Sequence, residues 1–171
     1  MNRILVFGNS GAGKSTLAKR LSELDCRAHL DLDSLAWLET VPPQRAPIED
    51  SKTLLDAFTA EHNHWVIEGC YTDLLELLAE QADAIIFLDL PVADCQMNAK
   101  ARPWEPHKYE SKSAQDANLN MLLEWISAYE ARTDTFSRAA HQKFYSQFSG
   151  QKWRLQNNDA QQTLTEFLLN L

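Results

Sequence analysis

Near its beginning the chain runs Ile4-Leu5-Val6-Phe7 straight into Gly8-Asn9-Ser10-Gly11-Ala12-Gly13-Lys14-Ser15, and Leu17, Leu21 and Leu24 follow at helical spacing. Strand, glycine-rich bend and helix, in that order, leave few folds open. A buried strand that bends into a helix is the first half of a β-α unit, and such a unit needs a second parallel strand beside it. The bend fits the pattern G-x-x-x-x-G-K-[ST]. Glycine tolerates φ > 0, so consecutive N–H groups can turn toward phosphate oxygens while the helix behind presents its positive end. Gly8, Asn9, Ser10, Gly11, Ala12, Gly13, Lys14, Ser15 and Thr16 therefore read as a cradle for a nucleotide's phosphates. Lys14 would reach the β and γ phosphates and the Ser15 hydroxyl would help hold Mg2+, so ATP and Mg2+ are the expected ligands.

The rest of the chain repeats the alternation. Strands are predicted over Arg3 to Phe7, Arg27 to Leu32, Trp65 to Glu68, Ala84 to Leu88 and Lys152 to Leu155. Between them Leu54, Leu55 and Phe58, then Leu74, Leu75, Leu77 and Leu78, fall at helical spacing. Gln115 to Phe148 reads as helix, broken near Thr133 to Ser137. Asn157, Asn158 and Asp159 offer an N-cap before a closing stripe of Leu164, Phe167, Leu168 and Leu171. With 171 residues, 44% of them hydrophobic, this is one α/β domain with a substantial core. Two proline-bearing segments depart from the pattern, within about 38–62 and about 100–115. They read either as a substrate flap and a closing lid or as surface loops.

Apolar runs as short as Ala84 to Leu88 fall far below the 18 or so residues of a membrane span, and no charged-then-apolar leader precedes the first strand, so a cytoplasmic protein is expected. Cys26, Cys70 and Cys95 are odd in number with no close pair, which suggests buried free thiols. A net charge of −8 disfavours direct binding to a nucleic acid backbone and leaves phosphate binding by local donors intact. Oligomeric state is not readable from these features.

Carboxylates stand where the strands end. A parallel sheet points the carboxyl ends of its strands at one crevice. Asp89, closing the run Ile85 to Leu88, reads as a ligand to a Mg2+ water or as a cap for the helix after Pro91. Asp31 and Asp33, two apart at the end of strand two, can project together to bind substrate or Mg2+, or to accept the proton of an attacking hydroxyl, the role expected of Asp33; Asp33 can instead cap a helix over Ser34 to Leu38. Glu68, Gly69 and Tyr71 can face an acceptor substrate, and Gly69 equally suits a turn. Phosphoryl transfer needs positive charge on the migrating group. Lys100, Arg102, Lys108, Lys112, Arg132 and Arg138 are candidates, Arg102 first among them. His62 and His64 read as structural, and Trp37, Trp104 and Trp125 as packing or edge contacts.

Together GNSGAGKS, LDLDSL at Leu30 to Leu35, WVIEGCY at Trp65 to Tyr71 and IIFLDLP at Ile85 to Pro91 resemble the small P-loop kinases, the group of adenylate, shikimate and gluconate kinases. Within it the chain looks most like the adenylate-kinase-related topology modulation proteins. The resemblance implies a P-loop NTPase three-layer sandwich: a five-stranded parallel sheet in the order 2-3-1-4-5 with helices on both faces. It implies an adenine-contacting loop near Gln156 to Asp159 and an acceptor site between Asp33 and Gly69. The expected activity is that of an ATP- and Mg2+-dependent phosphotransferase on a small molecule such as a nucleotide or nucleoside. An ATP-binding regulator with slow hydrolysis and no acceptor is the alternative. Two departures bear on the acceptor. Strand three carries one glycine where shikimate enzymes have three, and the lid is thin in the arginines that adenylate kinases carry.

Overall fold

A computed structural model describes residues 1–106, 108–160 and 164. Its centre is β1 (Arg3–Gly8), in which Ile4 to Phe7 are buried on both faces. A strand flanked by neighbours and covered by helices above and below has no polar side, which is why its sequence is a continuous apolar run. β2 (Ala28–Asp31), β5 (Trp65–Gly69), β6 (Ala84–Leu88) and β7 (Gln151–Leu155) complete the sheet. All its pairings are parallel and the order is β2-β5-β1-β6-β7. Counting only these five strands, that is 2-3-1-4-5, with the strands where the sequence places them. Between β2 and β5 lies a small antiparallel ladder, β3 (Trp37–Leu38) with β4 (Gln44–Arg45).

Two cores sandwich the sheet. On one face Phe7 stacks on Phe87, ring centroids 5.0 Å apart, and meets Phe144 of α6 (Arg138–Gln147) edge-on at 5.1 Å. Leu55 of α2 (Ile48–Glu61) and Leu74, Leu75 and Leu78 of α3 (Thr72–Leu78) complete that side. On the other face Ile4, Val6, Val66 and Ile86 pack against Leu17, Ala18 and Leu21 of α1 (Lys14–Asp25). Cys95 and Ala99 of α4 (Val92–Ala101) and Ile126 of α5 (Lys112–Ser127) join them. Ser111 and Ser137 cap α5 and α6, accepting from Ala114 N and Ala140 N, each at 3.1 Å. Each satisfies one of the orphan N–H groups of a first turn.

Local expectations shift in four places. No helix spans Ser34 to Leu38; a single 3-10 turn, Leu32–Ser34, forms, and its cap is Asp31, which accepts from Asp33 N at 2.9 Å. The first proline-bearing segment is a hairpin over 37–45 followed by α2, which packs back on the core. The break in the long helical stretch runs from Ala128 to Ser137, wider than the segment around Thr133 to Ser137, because Thr135 turns aside to bond Thr72 and Asp73. Cys26 is exposed, closing α1 with a left-handed φ of 51°, while Cys70 is half-buried and Cys95 buried. Asn157 accepts from Ala160 N at 2.8 Å as the expected cap, and Leu164 is buried; Phe167, Leu168 and Leu171 lie outside the described residues. Among the described residues no helix is long and apolar enough to cross a membrane.

Candidate active site

At the head of α1 the glycine-rich bend is pressed onto its neighbours. Gly11 has φ +76°, and a Cβ there would come 2.3 Å from the Cys95 carbonyl oxygen. At Gly8 a Cβ would meet the Leu88 carbonyl oxygen at 2.4 Å. Only glycine fits either place. Asn9 Nδ2 donates to Ile126 O at 3.2 Å, Asn98 Nδ2 donates to Gly11 O at 2.9 Å, and Lys14 Nζ donates back to Asn9 O at 2.9 Å. The bend is thus held open as a curved backbone around a cavity of about 440 Å³. Gly13, Lys14, Ser15 and Thr16 form its floor, while Asn98, Arg102 and Asn158 form its walls. A helix N-terminus, a lysine and a hydroxyl on one cavity match the donors a triphosphate needs, and Ser15 suits a Mg2+ ligand.

A second cavity, about 140 Å³, adjoins the first and shares Gly11, Lys14, Ser15 and Arg102 with it. Its far wall holds Asp31, Asp33, Glu68 and Gly69 with Lys108 and Tyr109 of the segment between α4 and α5. Register explains the wall. Asp31 pairs with Glu68 across β2 and β5, so their side chains share a face, and the 3-10 turn brings Asp33 alongside. Lys108 Nζ lies 3.3 Å from Asp31 and 3.1 Å from Asp33. Tyr71 donates its hydroxyl to Asp33 and accepts from Trp37 Nε1 at 2.7 Å. Burial pushes the Asp33 carboxyl up, but Lys108 and Tyr71 outweigh it and hold Asp33 below its ordinary range. Burial also raises Asp31, and there Glu68 and Asp33 add to it. For Lys108 burial works against the charge, but Asp33 and Asp31 win and raise it.

Asp89 departs from expectation. It is neither a helix cap nor open to a cation: Arg138 donates to it twice, at 2.8 and 3.0 Å, and Arg154 donates from Nε at 2.9 Å and from Nη2. Burial raises its carboxyl, yet the two guanidinium groups hold it below the usual range. A carboxylate saturated by two arginines has little charge or lone-pair capacity left for a metal. Its place is a joint between the end of β6, β7 and α6, reinforced by Asp89 N donating to Leu155 O at 2.8 Å. Nearby, buried His141 bridges Tyr129 Oη at 2.8 Å and the Cys70 carbonyl at 2.9 Å. Because Cys70 O can only accept, Nε2 carries the proton and Nδ1 accepts from Tyr129. Burial pushes His141 down to about 4.

Ser10, Gly11, Gly13, Lys14, Ser15 and Thr16 of the loop line the paired cavities with Asp31, Asp33, Glu68, Gly69 and Arg102, whereas Gly8, Asn9 and Ala12 shape the bend from behind. Tyr71 acts only through Asp33. At Gly69 a Cβ would lie 2.8 Å from Leu32 Cβ, so this glycine lets the 3-10 turn close over the strand end. Lys108 is the strongest contact on the carboxylate pair, and nothing in its local sequence distinguishes it from Lys100 or Lys112. Asn98 and Arg154 were invisible for the same reason: each acts across 65 residues or more; Asn158, which accepts from Asn98 at 3.0 Å, lies in the expected adenine-contacting loop near Gln156 to Asp159.

The sequence profile described as an AAA domain matches residues 4–118. No curated protein matches the chain in sequence. Three solved structures share its fold over nearly its full length. Shikimate kinase from Acinetobacter baumannii, in complex with shikimate, is 17% identical with a TM-score of 0.53, over 99% of this chain and 94% of that one. A sugar kinase from a Janibacter species, unliganded, is 16% identical with a TM-score of 0.55, over 99% and 94%. Deoxyadenosine kinase from M. mycoides, with bound dATP, is 12% identical with a TM-score of 0.51, over 98% and 99%. Identities this low carry the fold and not the substrate.

Proposed function

The chain belongs to the AAA domain family, and from that premise we propose that it is an ATP- and Mg2+-dependent phosphotransferase acting on a small hydroxylated acceptor. One observation carries the proposal: the phosphate-loop cavity opens into a second cavity lined by carboxylates, and Lys14, Ser15 and Arg102 line both. An acceptor site is what such a second cavity beside the phosphates supplies, and this favours transfer over slow hydrolysis.

The loop amides and Lys14 hold the β and γ phosphates, with the adenine toward Asn158 and Asn98. Ser15 is the protein group that would hold Mg2+, which when bound spreads the charge building on the migrating phosphoryl group. In the second cavity Asp33 accepts a hydrogen bond from the acceptor hydroxyl and, as the oxygen bonds to the γ phosphorus and the bond to ADP breaks, takes the proton. Lys108 and Tyr71 keep Asp33 ionised and oriented. Arg102, paired with Glu105 at 3.0 Å, lines both cavities and is the guanidinium that would neutralise the phosphoryl oxygens on leaving that carboxylate.

Incubating the protein with Mg·ATP and a panel of sugars, amino alcohols, nucleosides and hydroxy acids, and following ADP release, tests this. At least one acceptor stimulates release, and Asp33→Asn lowers that stimulated rate about 10²- to 10⁴-fold while leaving thermal stabilisation by Mg·ATP in place. Flat ADP release across the panel sinks the proposal.

A further inference from the structure

The smaller cavity says something about the acceptor's own chemistry. Glu68 is 1% exposed, forms part of the cavity wall, and its Oε1 has no hydrogen-bond partner. The His29 imidazole lies 3.8 Å from that oxygen, outside hydrogen-bond range. A buried carboxylate oxygen without a donor is unfavourable until something supplies one. Asp31 stands beside it in register and Asp33 beyond, so the wall presents acceptors in a row. What lies against two of them is a donor of this chain's own, the Lys108 ammonium. Lys14 and Arg102 are shared with the phosphate cavity, where a triphosphate claims their charge. On the acceptor side three carboxylates therefore face one ammonium. A second phosphate or a carboxylate placed there would meet like charge with its water removed.

We infer that the acceptor is a compact polyol or amino alcohol without an anionic group, one hydroxyl meeting Asp33 and a second donor, hydroxyl or ammonium, meeting the carboxylate row of Asp31 and Glu68. The inference rests on the phosphotransferase reading of the same site and narrows it, removing nucleotides and acids from the acceptors.

Isothermal titration of the full chain, loaded with Mg2+ and a non-hydrolysable ATP analogue, tests it with ribose, glucose, ethanolamine and glucosamine against gluconate, glucose 6-phosphate and AMP. At least one neutral or amino compound binds tenfold or more tightly than every anionic one, and Glu68→Gln narrows that ratio at least tenfold. Retained binding of the ATP analogue shows the variant is folded; if it is not, Asp31→Asn replaces it with the same expected narrowing. Equal or tighter binding of an anion, an unchanged ratio in the variant, or no binding by any member overturns the inference. ADP release measured on the same panel separates the two readings. Binding in the expected order without stimulated release removes the phosphotransferase and leaves the donor-reading cavity, whereas release stimulated only by AMP does the reverse.

Discussion

At the scale of single residues, Lys14 and Lys108 have opposite dependences on ligand. Lys14 makes one hydrogen bond in the protein itself, to Asn9 O, a contact worth about 1 kcal/mol. Lys14→Ala therefore lowers the melting temperature of the ligand-free protein by no more than about 4 °C, yet removes most of the stabilisation that Mg·ATP confers. Thermal melts with and without Mg·ATP check this, and equal stabilisation of parent and variant would refute the role of Lys14. Lys108 instead sets the charge state of Asp33. With it, Asp33 stays ionised below its ordinary range, so acceptor-stimulated turnover keeps its base down to acid pH. In Lys108→Met the nearest cation is gone and burial, the largest influence on Asp33, acts with Tyr71 and Lys14 left against it. The carboxyl then rises and the acid limb of the pH–rate profile moves to higher pH. A limb that stays put would assign the base to another group.

Between elements, the joint at Asp89 shows how the fold serves the site without touching ligand. Its carboxylate ties the end of β6 to α6 through Arg138 and to β7 through Arg154. The same α6 sends His141 to the Cys70 carbonyl, at the strand end that forms the acceptor wall. Asp89→Asn leaves two guanidinium groups with a neutral partner. Because both arginines are about a third exposed, the loss falls below that of a fully buried pair, about 2–3 kcal/mol. The ligand-free melting temperature drops by roughly 5–10 °C, while the fold change in Mg·ATP affinity stays small once the variant is compared below its midpoint. A metal ligand at Asp89 would give the reverse pattern, little loss of stability and a collapse of Mg2+-dependent affinity, so the two measurements together decide.

For the molecule as a whole, what was legible in the sequence was whatever local pattern dictates. The apolar run of Ile4 to Phe7 must be central, the glycine bend must precede α1, and the alternation of strands and helices yields the sheet. The carboxylates at strand ends were legible too, because parallel strands all point that way. Asp89's partners were not, since Arg138 and Arg154 come from elements 49 and 65 residues away, and no spacing rule links them to a strand end. His141 is the same kind of residue, a buried imidazole that joins Tyr129, 12 residues away, to Cys70, 71 residues away, and it carries a prediction about the whole fold. Unfolded, it takes a proton below about pH 6.5; folded, it stays neutral down to about 4. Across that window the unfolded state binds more protons, so stability rises with pH and falls on acidification, by about 3 kcal/mol between pH 6.5 and 4. Asp33 and Asp89, held low, add stability that persists above their ordinary values near 3.9 and is lost only as pH falls below them. Asp31, held high, works the other way, contributing stability below its ordinary value that is lost as pH rises. His141→Gln keeps a donor for the Cys70 carbonyl and an acceptor for Tyr129 but cannot titrate. Its unfolding free energy, measured by urea titration between pH 7 and 4.5, should therefore vary much less than the parent's, and parallel profiles would show that the acid loss arises elsewhere in the molecule.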